Sequence, residues 1–376
     1  MLHYFDHAAT TPVCPEAAQA ALEAMTQGFG NPSSGYPLGK AAAQRREADR
    51  AVIARALGCL PEELFFTSCG TEGDNWAISA ALQYNKRNGS HIVTTAIEHS
   101  AVLEPMKLLQ NQGYEVTYLK PDKTGHISPE AVKEAIRPDT IFVSIMLVNN
   151  ETGTILPVKA AAEAIKAAGS PALLHTDAVQ GFLKVPFTPK ELGADLVTIC
   201  GHKVRAPKGI GGLYVRKELI SKLKPLMVGG GQERGLRPGT EATAQIAAFA
   251  AAVQAWTPGT SEAIGAVKEY AADRLSAMEG VEIVSRGDAP HVLALSLPGY
   301  PSEPVVRTLG DKGFCLSSGS ACHRGKPSYV FAALGLPPKT LMGVLRVSFG
   351  PESTREEVDL LCAALEEIRS QLISRS

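Results

Sequence analysis

Between residues 63 and 216, short apolar runs alternate with helix-patterned stretches, and that alternation constrains the fold more than any other feature. The runs lie at 63–68, 91–96, 115–119, 140–148, 173–177, 196–199 and 212–216. Helical patterning falls at 71–84, at 99–110, at 128–136 behind a Ser128 cap, and at 157–168. Strands joined through helices run parallel, because a parallel pair needs a long crossover. The pattern therefore predicts an α/β chain whose mainly parallel mixed sheet is sandwiched by helices.

The flanks differ. Helical stretches at 15–25 and 38–57 come first, separated by a Gly, Pro and Ser loop at 28–35. An Ala-rich helix at 241–256 ends at Thr257-Pro258-Gly259-Thr260, which breaks the pattern. Beyond it come a helix at 262–278, strands near 281–284 and 292–297, a short helix near 303–310, and strands at 314–316 and 344–348. A final amphipathic helix opens on Thr354-Arg355-Glu356-Glu357, which has capping-box spacing. This part reads as a smaller α+β domain, so the division is placed at 15–257 and 258–376. A chain of 376 residues is long enough for two such cores.

Charge and cysteine usage remove whole classes of function. With 37 basic and 38 acidic residues, nothing argues for nucleic acid or for a solvating acidic arm. Seven scattered cysteines, never spaced as CxxC, argue against a disulfide framework and a zinc site. The first residues lack a basic stretch followed by an apolar one, and no apolar run approaches membrane-spanning length. A reducing cytoplasm is the expected location.

Chemistry-bearing residues gather where strands end, the edge at which open α/β sheets hold ligands. The strand at 173–177 ends on Asp177, and the strand at 196–199 is cut off by Gly201-His202-Lys203. An amine and an acid so placed are the pair pyridoxal phosphate needs, one for the Schiff base and one for the pyridinium nitrogen. A solvated loop lysine is the plainer reading of Lys203 alone. Thr67-Ser68-Cys69-Gly70-Thr71-Glu72 joins a strand to a helix, so free N–H groups and a Thr hydroxyl make either a phosphate cradle or an ordinary cap. His99 either stacks on a flat ring or caps the next helix. Asn149 and Asn150 either hold a phenolate-like oxygen or form Asx turns. Cys322, in a small-residue loop beside His323, Arg324 and Lys326, has neighbours that favour a thiolate, whereas Cys362 sits on an apolar helix face and reads as core. Arg346, inside an apolar strand, needs an anion: a bidentate carboxylate or an internal salt bridge.

Taken together these blocks resemble the cysteine desulfurases of the NifS/IscS type, in the class V aminotransferase family of pyridoxal-phosphate enzymes. The resemblance spans nearly the whole chain, in order, from Tyr4-Phe5-Asp6-His7-Ala8-Ala9-Thr10-Thr11 and Gly30-Asn31-Pro32-Ser33-Ser34 onward. It continues through His175-Thr176-Asp177-Ala178-Val179-Gln180 and the glycine-rich 229–240 to Ser317-Ser318-Gly319-Ser320-Ala321-Cys322 and Leu345-Arg346-Val347-Ser348. It implies the type I fold of these transferases, with residues 1–14 associated with the small domain. It implies that Lys203 carries the cofactor and moves protons, and that Asp177 pairs with the ring nitrogen. His99 would stack on the ring, and Asn150 and Gln180 would contact its phenolic oxygen. Gly70, Thr71, Cys200 and His202 would hold the phosphate, and Thr240 would reach the neighbouring subunit's phosphate, which implies a homodimer. Arg346, with Asn31 nearby, would take the substrate carboxylate. Cys322 would receive sulfur from L-cysteine as a persulfide, leaving alanine, for iron–sulfur clusters or thiolated cofactors and tRNA through an acceptor or scaffold protein.

Four positions depart from the family's usual residues: Cys200 for Ser, Gln232 for His, Cys69-Gly70 for Gly-Ala, and Phe349-Gly350-Pro351 for Leu-Gly-Arg. None removes the lysine, aspartate, nucleophile or carboxylate-binding arginine. Selenocysteine lyase is the alternative within enzymes, separable by turnover ratio. A sulfur-relay platform with low turnover until a partner binds is the alternative from another class. A transaminase would leave the Cys322 loop without purpose, and a dinucleotide oxidoreductase lacks its GxGxxG after an early strand.

Overall fold

The computed structural model describes residues 2–318 and 328–371. Twelve strands are found among them: β1 (His3–Tyr4), β2 (Leu64–Thr67), β3 (His91–Thr95), β4 (Glu115–Leu119), β5 (Thr140–Ser144) and β6 (Leu173–Asp177), then β7 (Leu196–Cys200), β8 (Gly211–Val215), β9 (Glu282–Ser285), β10 (Val292–Ser296), β11 (Phe314–Cys315) and β12 (Val344–Ser348). Seven form one sheet in the order β2-β8-β7-β6-β5-β3-β4. The links from β7 through β6, β5 and β3 to β4 are parallel, and β8 runs against both its neighbours. The strand–helix alternation thus produces the mainly parallel mixed sheet it predicts, flanked by helices.

The strands at the centre of this sheet read as continuous apolar runs because both faces are covered. β5, β6 and β7 are buried along their whole length. One face carries the cluster around Val143, Leu174, Val197 and Ile199, with Phe249 from the Ala-rich helix Thr243–Ala255. The other carries Phe142, Leu173, Leu196 and Leu213 against Trp76 and Ala77 of the helix Gly70–Tyr84. Only β4, at the edge, is partly exposed.

Beyond Ala255 a three-stranded antiparallel sheet, β12-β10-β9, packs Leu293, Leu295, Leu345 and Val347 against the helices Thr260–Ser276 and Arg355–Gln371. The expected cap of the last helix is present: Glu357 N–H donates to Thr354 Oγ1 and Thr354 N–H donates to Glu357 Oε2, both at 3.2 Å. Cys362 is buried there. The short β1 pairs in parallel with β11, and Phe5 is buried edge-on against Phe349 in the same core. Two-residue strands carry no alternation of their own, so β1 leaves no periodic signal in the sequence. Among the described residues no helix is long and apolar enough to cross a membrane.

Candidate active site

A cavity of about 290 Å³ opens where β2, β3, β5, β6 and β7 end, and it brings together most of the residues singled out by sequence. Lys203 follows β7 in the short turn Gly201–Lys203. Its Nζ donates to the carbonyls of Ala8 (2.7 Å) and Ala9 (2.6 Å). Burial, helped by the Arg346 guanidinium, pushes the Lys203 amine down to about 8. The solvated-loop reading fails: the amine is held inside the site.

Asp177, the last residue of β6, is buried and accepts from Val179 N–H at 2.9 Å through Oδ1. Burial raises its carboxyl, while His99 and Lys203 pull the other way. The capping reading of His99 holds, and the ring also stands at the cavity wall. Its Nδ1 accepts from Ala101 N–H at 3.2 Å, capping the helix Ser100–Asn111, while its ring borders the cavity. That bond puts the proton of the neutral ring on Nε2, and burial lowers the imidazole below its ordinary value.

The two asparagines differ. Asn149 Oδ1 accepts from Glu151 and Thr152 N–H at 2.9 Å each, an Asx turn. Asn150 borders the cavity, and its buried Oδ1 has no partner among the described residues. Gln180 is gripped from both ends: Nε2 donates to Ala8 O at 2.8 Å, and Oε1 faces His291 Nε2 at 2.9 Å.

At the start of the helix Gly70–Tyr84, Cys69 is extended and offers no side-chain cap, so the first N–H groups are left for another acceptor. A methyl group on Gly70 would meet Val179 at 3.0 Å, so the approach of backbone to the cavity needs a small residue there. Cys200 borders this end; burial raises its thiol, against the N–H groups of Gly70 and His202. His202, beside it, is tied to Thr10 Oγ1 at 3.1 Å and pushed down to about 3, chiefly by burial and then by Lys203. A neutral imidazole and backbone N–H groups suit a phosphate by donation rather than by net charge.

Arg346, in β12, closes the cavity from the smaller sheet. The internal salt bridge is real: Nη2 donates to Asp6 Oδ1 at 2.9 Å. Its Nε is nevertheless buried and, among the described residues, unpartnered. Within one chain Thr240 and Asn31 do not line this cavity. Thr240 borders a separate hollow with Ser68 and Arg237, and exposed Asn31 accepts from Ser33 N–H in its own turn. Cys322 lies outside the described residues. Sequence reasoning gave no role to Asp6, the Ala8 and Ala9 carbonyls, Asp74 or Tyr329; the first three lie in the block Tyr4–Thr11, which entered only through the resemblance.

The profile of the family Aminotransferase class-V matches residues 3–361. A "Cysteine desulfurase IscS" of Methanosarcina thermophila is 40% identical over 383 residues, covering 99% of this chain and 93% of the relative. A solved "NIFS-like protein" superposes with a TM-score of 0.92 at 34% identity, over 99% of this chain and 100% of that one. A structure titled "SspA in complex with cysteine" gives 0.82 at 33% identity, over 94% and 100%. The chain thus belongs to the class-V aminotransferase family, on its cysteine desulfurase branch.

Proposed function

We propose that the chain is a pyridoxal-phosphate-dependent cysteine desulfurase that converts L-cysteine to L-alanine and collects the sulfur as a persulfide on Cys322. The observation that carries this reading is the meeting of a buried amine, a buried acid and a buried guanidinium, Lys203, Asp177 and Arg346, in one cavity. The lining fits the cofactor and its substrate: an uncapped helix start for the phosphate, the flat His99 ring, and the Asn150 amide at the cavity wall, with the buried Arg346 Nε a donor for the substrate's carboxylate. Pyridoxal phosphate supplies an aldehyde for the amine and a protonated ring that accepts electrons.

The chain's own residues do the rest. Lys203, already partly neutral near pH 8, holds the cofactor and then moves protons at the substrate's Cα. Asp177 keeps the ring nitrogen protonated, and His99 covers the ring. Asn150 and Gln180 orient its phenolic oxygen, and Gly70, Thr71, Cys200 and His202 seat the phosphate. Arg346 selects an α-carboxylate. The Cys322 thiolate takes the substrate's sulfur, which splits a hard C–S cleavage into easier steps. The division of labour puts cofactor binding in 15–257 and the nucleophile in 258–376.

A second copy is part of the reading, since Thr240 lies outside its own chain's cavity and the nearby Leu226, Met227 and Val228 are exposed, Val228 at 93%. The cytoplasm suits the six described cysteines, all free. The persulfide would serve iron–sulfur clusters or thiolated cofactors and tRNA through an acceptor protein. The test is to add L-cysteine together with dithiothreitol, whose oxidation to the disulfide reduces the persulfide to sulfide, and to measure alanine and sulfide for wild type and Cys322→Ala. Wild type is expected to release both, and the variant to lose turnover by about 100-fold or more. A variant that desulfurates as fast as wild type would remove Cys322 from its role.

A further inference from the structure

Arg346 is held from several sides. Nη1 donates to Asn150 O at 2.9 Å; Nη2 donates to Asp6 Oδ1 at 2.9 Å and to Ser317 Oγ at 3.2 Å. Among the described residues, Asp6 is the carboxylate in ion-pair contact with it. The Ser317 hydroxyl also donates to Asp6 Oδ1, at 2.8 Å, which closes a triangle of side chains. Asp6 itself has little freedom. Phe5 N–H donates to Cys315 O and Ser348 N–H donates to Phe5 O, both at 2.8 Å, and Ala8 N–H donates to Ser348 Oγ at 2.9 Å. Asp6 is therefore clamped between β11 and β12, and the guanidinium takes its orientation from it.

We propose that Asp6, seconded by Ser317, is a positioning residue for substrate recognition: it occupies Nη2 and leaves the unpartnered Nε of Arg346 as the donor for an α-carboxylate. The inference rests on the reading that the substrate is an α-amino acid. A guanidinium has five N–H donors; Asp6 and Ser317 use the two on Nη2 and Asn150 O one on Nη1, which leaves Nε–H and the second Nη1–H, so a second carboxylate is accommodated without evicting the first. The opposite role, a stand-in that the substrate must displace, predicts that removing Asp6 tightens binding. The pinned backbone on both sides of Asp6 argues against displacement.

The cofactor-loaded enzyme is compared with Asp6→Ala, Asp6→Asn and Ser317→Ala. Asp6→Ala is expected to raise KM for L-cysteine about 10-fold with kcat within about 3-fold, the signature of lost binding in ground and transition states alike. Asp6→Asn keeps the shape and the accepting oxygen, and is expected to restore KM to within about 3-fold of wild type. Calorimetry with L-alanine should show the same weakening in Asp6→Ala, while ethylamine, which lacks the carboxylate, binds all forms alike. An unchanged or lowered KM in Asp6→Ala overturns the proposal, as does equal weakening for L-alanine and ethylamine. If Asp6→Ala does not fold, Ser317→Ala carries the test: KM should rise about 3-fold, and an unchanged KM overturns it. Wild type that binds L-alanine but never turns over L-cysteine would refute the desulfurase reading instead.

Discussion

At Lys203 one amine has to be both anchored and reactive. The Ala8 and Ala9 carbonyls fix its position, and burial takes its proton affinity down to about 8. An ordinary lysine is almost wholly protonated at that pH. Reductive methylation of the cofactor-free protein with formaldehyde should therefore modify Lys203 with a pH midpoint near 8. Peptide mapping would read the site, and a midpoint above 9 would show that burial does not activate this amine. The same residue shows what sequence can reveal. Its place after a buried strand was readable, but the carbonyls that hold it come from a segment 195 and 194 positions away. Arg346 behaves likewise: sequence could demand an anion for it, but not say that Asp6, 340 positions earlier, already supplies one.

Among elements, those with their own periodicity were legible. The strands and helices of the large sheet fall close to their expected ranges because two-sided burial writes continuous apolar runs into the sequence. Short pieces such as β1 and the helices Pro189–Leu192 and Tyr329–Ala333 have no periodicity or apolar run of their own to read, and they depend on tertiary contacts. The glycine-rich segment at 229–240 belongs to this second kind. Glu233 and Arg234 have positive φ (45° and 58°), a region that non-glycine residues rarely adopt. The conformation is held by a buried pair: Arg50 donates to both Glu233 oxygens at 2.6 and 2.8 Å, and Glu233 also accepts from Phe66 N–H at 2.9 Å. Glu233→Gln leaves the buried Arg50 short of a counter-charge, for a loss of about 3–5 kcal/mol. Urea unfolding would measure this, and a loss below about 1 kcal/mol would mean that Glu47 alone suffices for Arg50.

For the molecule as a whole, buried imidazoles link stability to pH. His175 is fully buried in β6 between Ser144 and Thr198, at 2.9 and 3.0 Å, and burial pushes it down to about 3 from the usual 6.5. The unfolded chain takes up a proton below 6.5, whereas the native one does not until about 3. Stability is therefore present above 6.5 and lost as pH falls through that window. His7 and His202, pushed down to about 4 and about 3, add to it. The urea midpoint should fall steeply from pH 7 to 4.5, and His175→Gln, weaker at pH 7, should show a shallower fall. Parallel curves for the two proteins would assign the acid sensitivity elsewhere.

The β1–β11 pairing also has a consequence in time. Asp6 leaves the ribosome long before Arg346, which follows it by 340 residues. At about 5–20 residues per second, that gap lasts roughly 20–70 s. During the wait the large sheet can close, and Ala8 and Ala9 can already cover Lys203, while β1 has no partner strand and Phe5 no core. A nascent chain thus acquires its amine pocket first and its carboxylate clamp last. On the proposed reading, selectivity for amino acids would arrive only when the final strands are made.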